Sequence, residues 1–495
     1  MSKTSPDKPD YRLITILITG AFIAFLSNTF LNVALPSIKD EFDISTGTVQ
    51  WVSTSYMLVA GIVIPTTAYL MNKFSARQIF LSAMSLFLLG ATIAGFSFSF
   101  PMLIVGRMIQ AAGSSILMPL LMNTMIRSFP PEKRGTAMGL FSLVMFFAPA
   151  IGPTLSGFIV QSYSWNMLFI MMLPVIIIIL VVGYKLLPEI KNNNKAAMDI
   201  PSVILSTLGF GALLYGLVSA GDHKLLSIIT LAPIFIGLIL VYVYIMRQMK
   251  LEMPMLNFRV YKHKMYTLGA IISSASNMGL FAGMILVPLF LQDIQGKSPI
   301  ETGLLLLPGA LIMGFLSPVS GKLFDKVGPK WLAIVGLILA TITTYMFSKL
   351  TFDTSFGYLL TLYMVRAFGM TMVNTPVMTN GMNDLPRELT PDGSSLNSMM
   401  NQVSGAVGIA VLISVMQGYM NFQLSKIANP TQLEINQAML DGINLSFFVG
   451  SIFMAIGLLT ALFLKPAYST ENLEDGITSV RPISESHKVK RKEQD

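Results

Sequence analysis

The 495-residue sequence contains no cysteine and only three histidines, His223, His263 and His487. The first absence excludes a disulfide framework, a thiolate metal site and a cysteine nucleophile. All three histidines fall in polar connections or the tail, so no zinc-dependent or histidine-dependent active site is expected. Charge is scarce as well. Only 12% of residues are Asp, Glu, Lys or Arg, about half the usual share of a soluble domain. A phosphate-binding loop is also missing: between Gly314 and Gly321-Lys322 lie six residues rather than four, and Leu323 follows. An ATP-driven pump is therefore excluded, no enzyme activity is expected and no cofactor is implied.

What remains is apolar. Hydrophobic residues make up 53% of the chain and its mean hydropathy is +0.66. A membrane core of about 30 Å needs about twenty such residues per helix. Runs of this length lie near 14–36, 48–71, 77–98, 101–126, 134–160, 165–187, 200–220, 226–246, 266–292, 302–322, 330–349, 355–379, 392–416 and 443–465. Gly, Pro, Ser and Asn dilute the runs at 134–160 and 392–416. The first run is too long for a signal-peptide core and reads as a retained span.

Fourteen spans put both termini on one side. With the amino terminus inside, about 26 of the 33 basic residues are cytoplasmic, while Lys39, Lys224, Lys297, Lys349 and Lys426 face outward. This bias selects cytoplasmic termini. The formal charge of +8 is thus spread between spans rather than gathered in a patch, and no nucleic-acid partner is expected. The lipid bilayer is the partner, with Trp51, Trp165 and Trp331 near helix ends as expected interfacial anchors and Lys488 to Lys492 as a solvated or headgroup-contacting tail.

The chain also repeats itself. Gly321-Lys-Leu-Phe-Asp325-Lys326-Val-Gly328-Pro-Lys330 follows the tenth span, and Ala68-Tyr-Leu-Met-Asn72-Lys73-Phe-Ser75-Ala-Arg77 follows the second, 253 residues earlier. Arg107 in the fourth span pairs with Arg366 in the twelfth, and Ser27-Asn28 in the first with Ser276-Asn277 in the ninth, at similar offsets. Such duplication is common in transporters built from two halves. It divides the chain into an amino-terminal tail (1–13), a six-helix bundle (14–187), a linker (188–199) and two inserted helices (200–246). A second linker (247–265), a second six-helix bundle (266–465) and a basic tail (466–495) follow.

Together with Asn32-Val-Ala-Leu-Pro36, Ala148-Pro-Ala-Ile-Gly152-Pro153-Thr-Leu-Ser-Gly157, and Gln292, Gly296, Ser298-Pro299, Gly303 and Pro308, these loops resemble the major facilitator superfamily. The likeness is to its fourteen-helix drug:proton antiporters, and within them to Gram-positive lincomycin-type and multidrug exporters. It implies an all-α membrane protein with two six-helix bundles plus two inserted helices. In such proteins the loop is thought to latch the two halves. Gly321, Asp325, Lys326, Gly328 and Lys330 match it. Asn72, Lys73 and Arg77 stand in a decayed first copy, where Asn72 replaces the usual Asp and a weaker latch is expected. The resemblance also marks Ala148, Gly152, Pro153 and Gly157 as the antiporter motif. There a proline removes a backbone hydrogen bond and small residues allow a close helix approach.

Arg107 lies inside the membrane, where a charge costs roughly 2.5–3.5 kcal/mol and needs water or a partner. Arg366 reads as nearer the outer end of its helix. Asn28 and Asn32 share a face of span one, as do Asn397 and Asn401 of span thirteen. With Asn277 and Asn374 they imply an amide-lined cavity, to which Tyr56, Phe146 and Phe281 add apolar contacts and the 35 methionines adaptable surface. Proton antiport needs a titratable carrier, yet Ser27 replaces the acid that many relatives place in the first span, and no acid falls near a membrane midplane. The carrier is a boundary carboxylate (Asp293, Glu301, Asp384 or Asp392), or the substrate brings the proton, or there is no proton coupling. The expectation is a monomeric exporter of neutral or weakly charged amphipathic molecules. An exporter of an endogenous lipid or metabolite is the alternative.

Overall fold

The computed structural model describes residues 11–44, 46–49, 51–188, 199–222, 227–427 and 429–467. Among the described residues all regular structure is helical. The long helices are α1 (Tyr11–Phe42), α2 (Trp51–Lys73), α3 (Ala76–Gly95), α4 (Phe100–Ser128), α5 (Arg134–Ser162), α6 (Met172–Leu186), α7 (Ile200–Asp222) and α8 (Ile228–Lys250). They continue as α9 (Lys264–Leu289), α10 (Pro299–Val327), α11 (Pro329–Phe347), α12 (Phe356–Asn383), α13 (Thr390–Leu424) and α14 (Gln432–Ala461).

Among the described residues thirteen of these, with a lead-in turn at Met167–Ile170 counted into α6, are long and apolar enough to cross a membrane. The other, α5, has the length as well, at 29 residues, and several of its side chains lie outside the described residues. Span thirteen, diluted in sequence by Gly, Ser and Asn, is continuous helix throughout α13.

Local chemistry sets the helix starts. Ser75, Ser298 and Thr431 form capping boxes with Gln78, Glu301 and Glu434, and Ser227 and Ser355 cap α8 and α12. Each satisfies backbone donors that a helix start leaves open. The end of α9 winds into a π turn over Phe290–Ile294, just beyond Pro288.

The chain divides into two compact units. Unit 1 contains α1–α4, the rest of α5 from Val144, α6–α8 and residues Ser394–Ala406 of α13. Unit 2 contains the start of α5, α9–α12, the remainder of α13 and α14. In unit 2 the core includes Phe290, Phe347 and Phe447, the last two stacked with ring centroids 5.1 Å apart. In unit 1 Trp165 departs from the interfacial role its position implied. It is 2% exposed and donates to Glu41 Oε2 at 2.7 Å, because α1 runs six residues past its expected end and brings Glu41 and Phe42 against it. Trp51 and Trp331 stay exposed.

The inserted pair belongs to unit 1. α7 rests on α2, with Tyr215 against Trp51 at 6.0 Å. α8 is tied to α7 by Arg247, whose Nε and Nη2 donate to the Asp199 carboxylate at 2.8 and 2.9 Å. That pairing, with a hydrogen bond from Ser202, holds the Asp199 carboxyl down at about 2.

Candidate functional site

Arg107 is fully buried in unit 1. Its Nη1 donates to Gln110 Oε1 at 2.5 Å, and Nη2 and Nε reach Asn28 Oδ1 and the Val52 carbonyl at 3.5 Å. The guanidinium also lies over the Tyr56 ring, 4.2 Å from its centroid. Gln110 Nε2 donates to Ser27 Oγ at 3.0 Å, and Tyr56 Oη shares a hydrogen bond with Ser114 Oγ. No carboxylate is among these partners. The charge is held by amide, carbonyl and aromatic groups, each charge-assisted hydrogen bond contributing about 1.5–3 kcal/mol. Sequence reasoning singled out Asn28, Tyr56 and Arg107 but missed Gln110 and Ser114. Their spacing from Arg107, three and seven residues, puts them on its helix face.

Arg366 corrects its sequence reading. It is 2% exposed and no nearer the helix end than Arg107. α12 begins at Phe356, so ten residues and about 15 Å of helix precede it. Its Nε donates to Thr344 Oγ1 at 3.1 Å and its Nη2 to the Gly279 carbonyl. Gly283 supplies the room, since a Cβ there would collide with Nη1. Each unit thus buries one arginine on the helix that the repeat makes equivalent.

The loop residues meet different fates. In unit 2, Asp325 receives the Gly135 amide at 2.9 Å, the Thr136 amide at 3.0 Å and the Thr136 hydroxyl at 2.8 Å. It therefore caps the first turn of α5, where an anion is favoured. Gly321 makes the approach possible, because a Cβ there would collide with the Gly135 carbonyl. Gly328 joins α10 to α11 at φ 82°, a conformation glycine adopts without strain. Lys326 is exposed and Lys330 half-buried. In the first copy the corresponding Ser75 has φ −69° and caps α3, so no glycine is required there. Asn72 is half-buried, Lys73 bonds to Tyr69 Oη at 2.7 Å, and Arg77 to the Tyr184 carbonyl at 2.6 Å.

In the stretch 148–157, Ala148 is buried and Gly152 packs on α1, where a Cβ would collide with Thr29 Oγ1; Ser156 donates to the Phe30 carbonyl at 2.6 Å. Gly157 is half-buried. The side chains of Asn32, Phe146 and Pro153 lie outside the described residues. In unit 2, Asn277 is buried while Phe281 and Asn374 are half-buried; Asn401 is half-buried in unit 1. Asn397, in unit 1, contacts Met122 Sδ at 3.8 Å.

The four boundary carboxylates separate cleanly. Asp293 is exposed on the π turn, and Glu301 closes the α10 capping box and pairs with Lys297 at 3.2 Å. Asp384 accepts the Met265 amide at 2.9 Å at the start of α9. Asp392 alone of the four is buried, 4% exposed in the first turn of α13.

Comparison with known proteins bears on this arrangement. The profile of the Major Facilitator Superfamily matches residues 17–409. YcnB, named as an uncharacterized MFS-type transporter of Bacillus subtilis (strain 168), is 41% identical over 467 residues, covering 94% of this chain and 98% of that protein. The lincomycin resistance protein LmrB of Listeria innocua is 39% identical over 455 residues, covering 92% and 97%. The crystal structure of the human organic anion transporter MFSD10 aligns with a TM-score of 0.67 over 92% of this chain and all of that one, at 12% identity, a likeness of fold alone. With its repeated loops, paired buried arginines and many membrane-spanning helices, the chain belongs to the major facilitator superfamily and is one of its multi-pass membrane transporters.

Proposed function

We propose that this chain is a secondary active multidrug exporter of the bacterial cell membrane, a monomer with both termini cytoplasmic that exchanges protons for amphipathic neutral or weakly charged drugs. The observation that carries the reading is its 39% identity, across 92% of its length, to a protein named for lincomycin resistance. The polar groups around Arg107 fit that substrate class. Ser27, Asn28, Gln110 and Tyr56 are all neutral, so nothing in that network attracts a dication, and amide and aromatic groups suit varied amphipathic ligands.

Alternating access needs a contact that forms in one state and breaks in another. The carboxylate of Asp325 on the first turn of α5 is our candidate, with Gly321 and Gly135 allowing it. The α5 stretch Ala148 to Gly157 is the proposed packing surface for the movement. Asp392 is the proposed proton carrier ahead of Asp293, Glu301 and Asp384, because it is the one withdrawn from water.

The test is uptake of lincomycin and a panel of neutral drugs into proteoliposomes under an imposed pH gradient. Uptake that follows the gradient and collapses with a protonophore is expected, as is its loss in Asp392→Asn. Movement indifferent to the gradient removes proton coupling. No movement of any drug replaces the reading with export of an endogenous lipid or metabolite, sought in the extracellular profile of a deletion strain.

A further inference from the structure

The outer side of α8 is apolar along most of its length, with Phe235, Ile239, Val243 and Met246 exposed. Only 17% of its most apolar stretch is buried, so this face meets lipid. Its last two turns change character. There a groove of about 350 Å³ is lined by Tyr242, Val243, Met246, Arg247, Lys250 and Leu251. Arg247 is fixed in place by its two bonds to Asp199. Lys250 is exposed, and among the described residues no carboxylate pairs with it. Asp199 offsets one of the two cations, which leaves the groove with one net positive charge.

We propose that this groove binds the headgroup phosphate of an anionic phospholipid. Lys250 and the side of Arg247 turned from Asp199 face the phosphate, and an acyl chain lies along Val243 and Met246 toward Tyr242 at the other end of the lining. The helix ends here, since Leu251 is already extended, so the groove sits where the chain leaves the membrane. In the orientation proposed above this is the cytoplasmic leaflet, whose surface charge draws basic residues. The apolar half of the lining selects a lipid over free phosphate. Inorganic phosphate gains nothing from Val243, Met246 or Leu251 and keeps its hydration better in water. A bound lipid would brace the inserted α7–α8 pair at the end where Asp199 and Arg247 already join it.

The proposal is independent of what the protein transports, so lipid binding and drug uptake are measured separately. Purified full-length protein is titrated with phosphatidylglycerol or phosphatidylcholine and bound lipid is counted by native mass spectrometry. Preference for phosphatidylglycerol is expected, with Lys250→Gln weakening it about fivefold, the effect of one basic residue at a charged lipid surface. Arg247→Lys, which retains the charge but not the two-pronged hold on Asp199, is expected to weaken it as well. Lys262→Gln makes the same charge change outside the groove and should leave binding unaltered. Equal losses in Lys250→Gln and Lys262→Gln would overturn the site, as would equal binding of the two lipids. Displacement of phosphatidylglycerol by an equal concentration of inorganic phosphate would overturn the lipid assignment.

Discussion

Replacing Asp325 by Asn probes the contact on which the proposed movement turns. The carboxylate receives three hydrogen bonds, from the Gly135 amide on one oxygen and from the Thr136 amide and hydroxyl on the other. Asparagine has one acceptor oxygen. If that oxygen stays with Thr136, the new NH₂ faces the Gly135 amide, donor against donor; the opposite rotamer loses the Thr136 amide instead. At least one bond to a charged acceptor is lost, about 1.5–3 kcal/mol. The anion at the helix start goes with it, about 0.3–1 kcal/mol more. The local cost is thus about 2–4 kcal/mol, which corresponds to roughly 30-fold to 1,000-fold more frequent opening at these amides. Hydrogen exchange of the peptide containing Gly135 and Thr136, in detergent or nanodiscs, reads this directly. Asp293→Asn, on the exposed π turn, is the control. Exchange of that peptide within threefold of the parent protein would refute the capping role, provided Asp325→Asn retains the parent's thermal midpoint.

Three other outcomes are expected. Gln110→Leu leaves Arg107 Nη1 without its nearest acceptor and should lower stability by about 2–4 kcal/mol, through a buried charge short of partners. Gln110→Glu should recover that stability, because the Ser27 hydroxyl can donate where it now accepts; a Leu variant that melts with the parent refutes the network's importance. Gly283→Ala sets a methyl group against the Arg366 guanidinium and should destabilise by about 1–3 kcal/mol as overpacking, with an unchanged unfolding midpoint as the contrary result. The Asp199–Arg247 pair has a defined pH window. Its depressed carboxyl, at about 2, contributes stability fully above the ordinary aspartate range and loses it only as pH falls through the folded value. The difference in thermal midpoint between the parent and Asp199→Asn should therefore be constant from pH 8 to 5, and a difference that shrinks across that interval would contradict the assignment.

Several features of this chain were determined by sequence alone. A span must be long and apolar to cross a membrane, so hydropathy located the helices, and the distribution of lysine and arginine proposed their orientation. Duplication left its mark in paired motifs, because each copy of the loop keeps its own turn chemistry. Tertiary structure decided what those motifs touch. The partner of Asp325 is the first turn of α5, 190 residues away in sequence, and no local pattern points to it. Arg366 reads as peripheral until the start of α12 and the space beside Gly283 place it at depth. Trp165 looks like a surface anchor until the longer α1 covers it. The acid missing from the first span is answered by Gln110, which joins Arg107 of its own helix α4 to Ser27 of α1, a contact that only the packing of those two helices provides. Backbone rules and solvent preference act within a segment and can be read along it. The partner of a buried charge is chosen by packing between helices, and only the fold sets that distance.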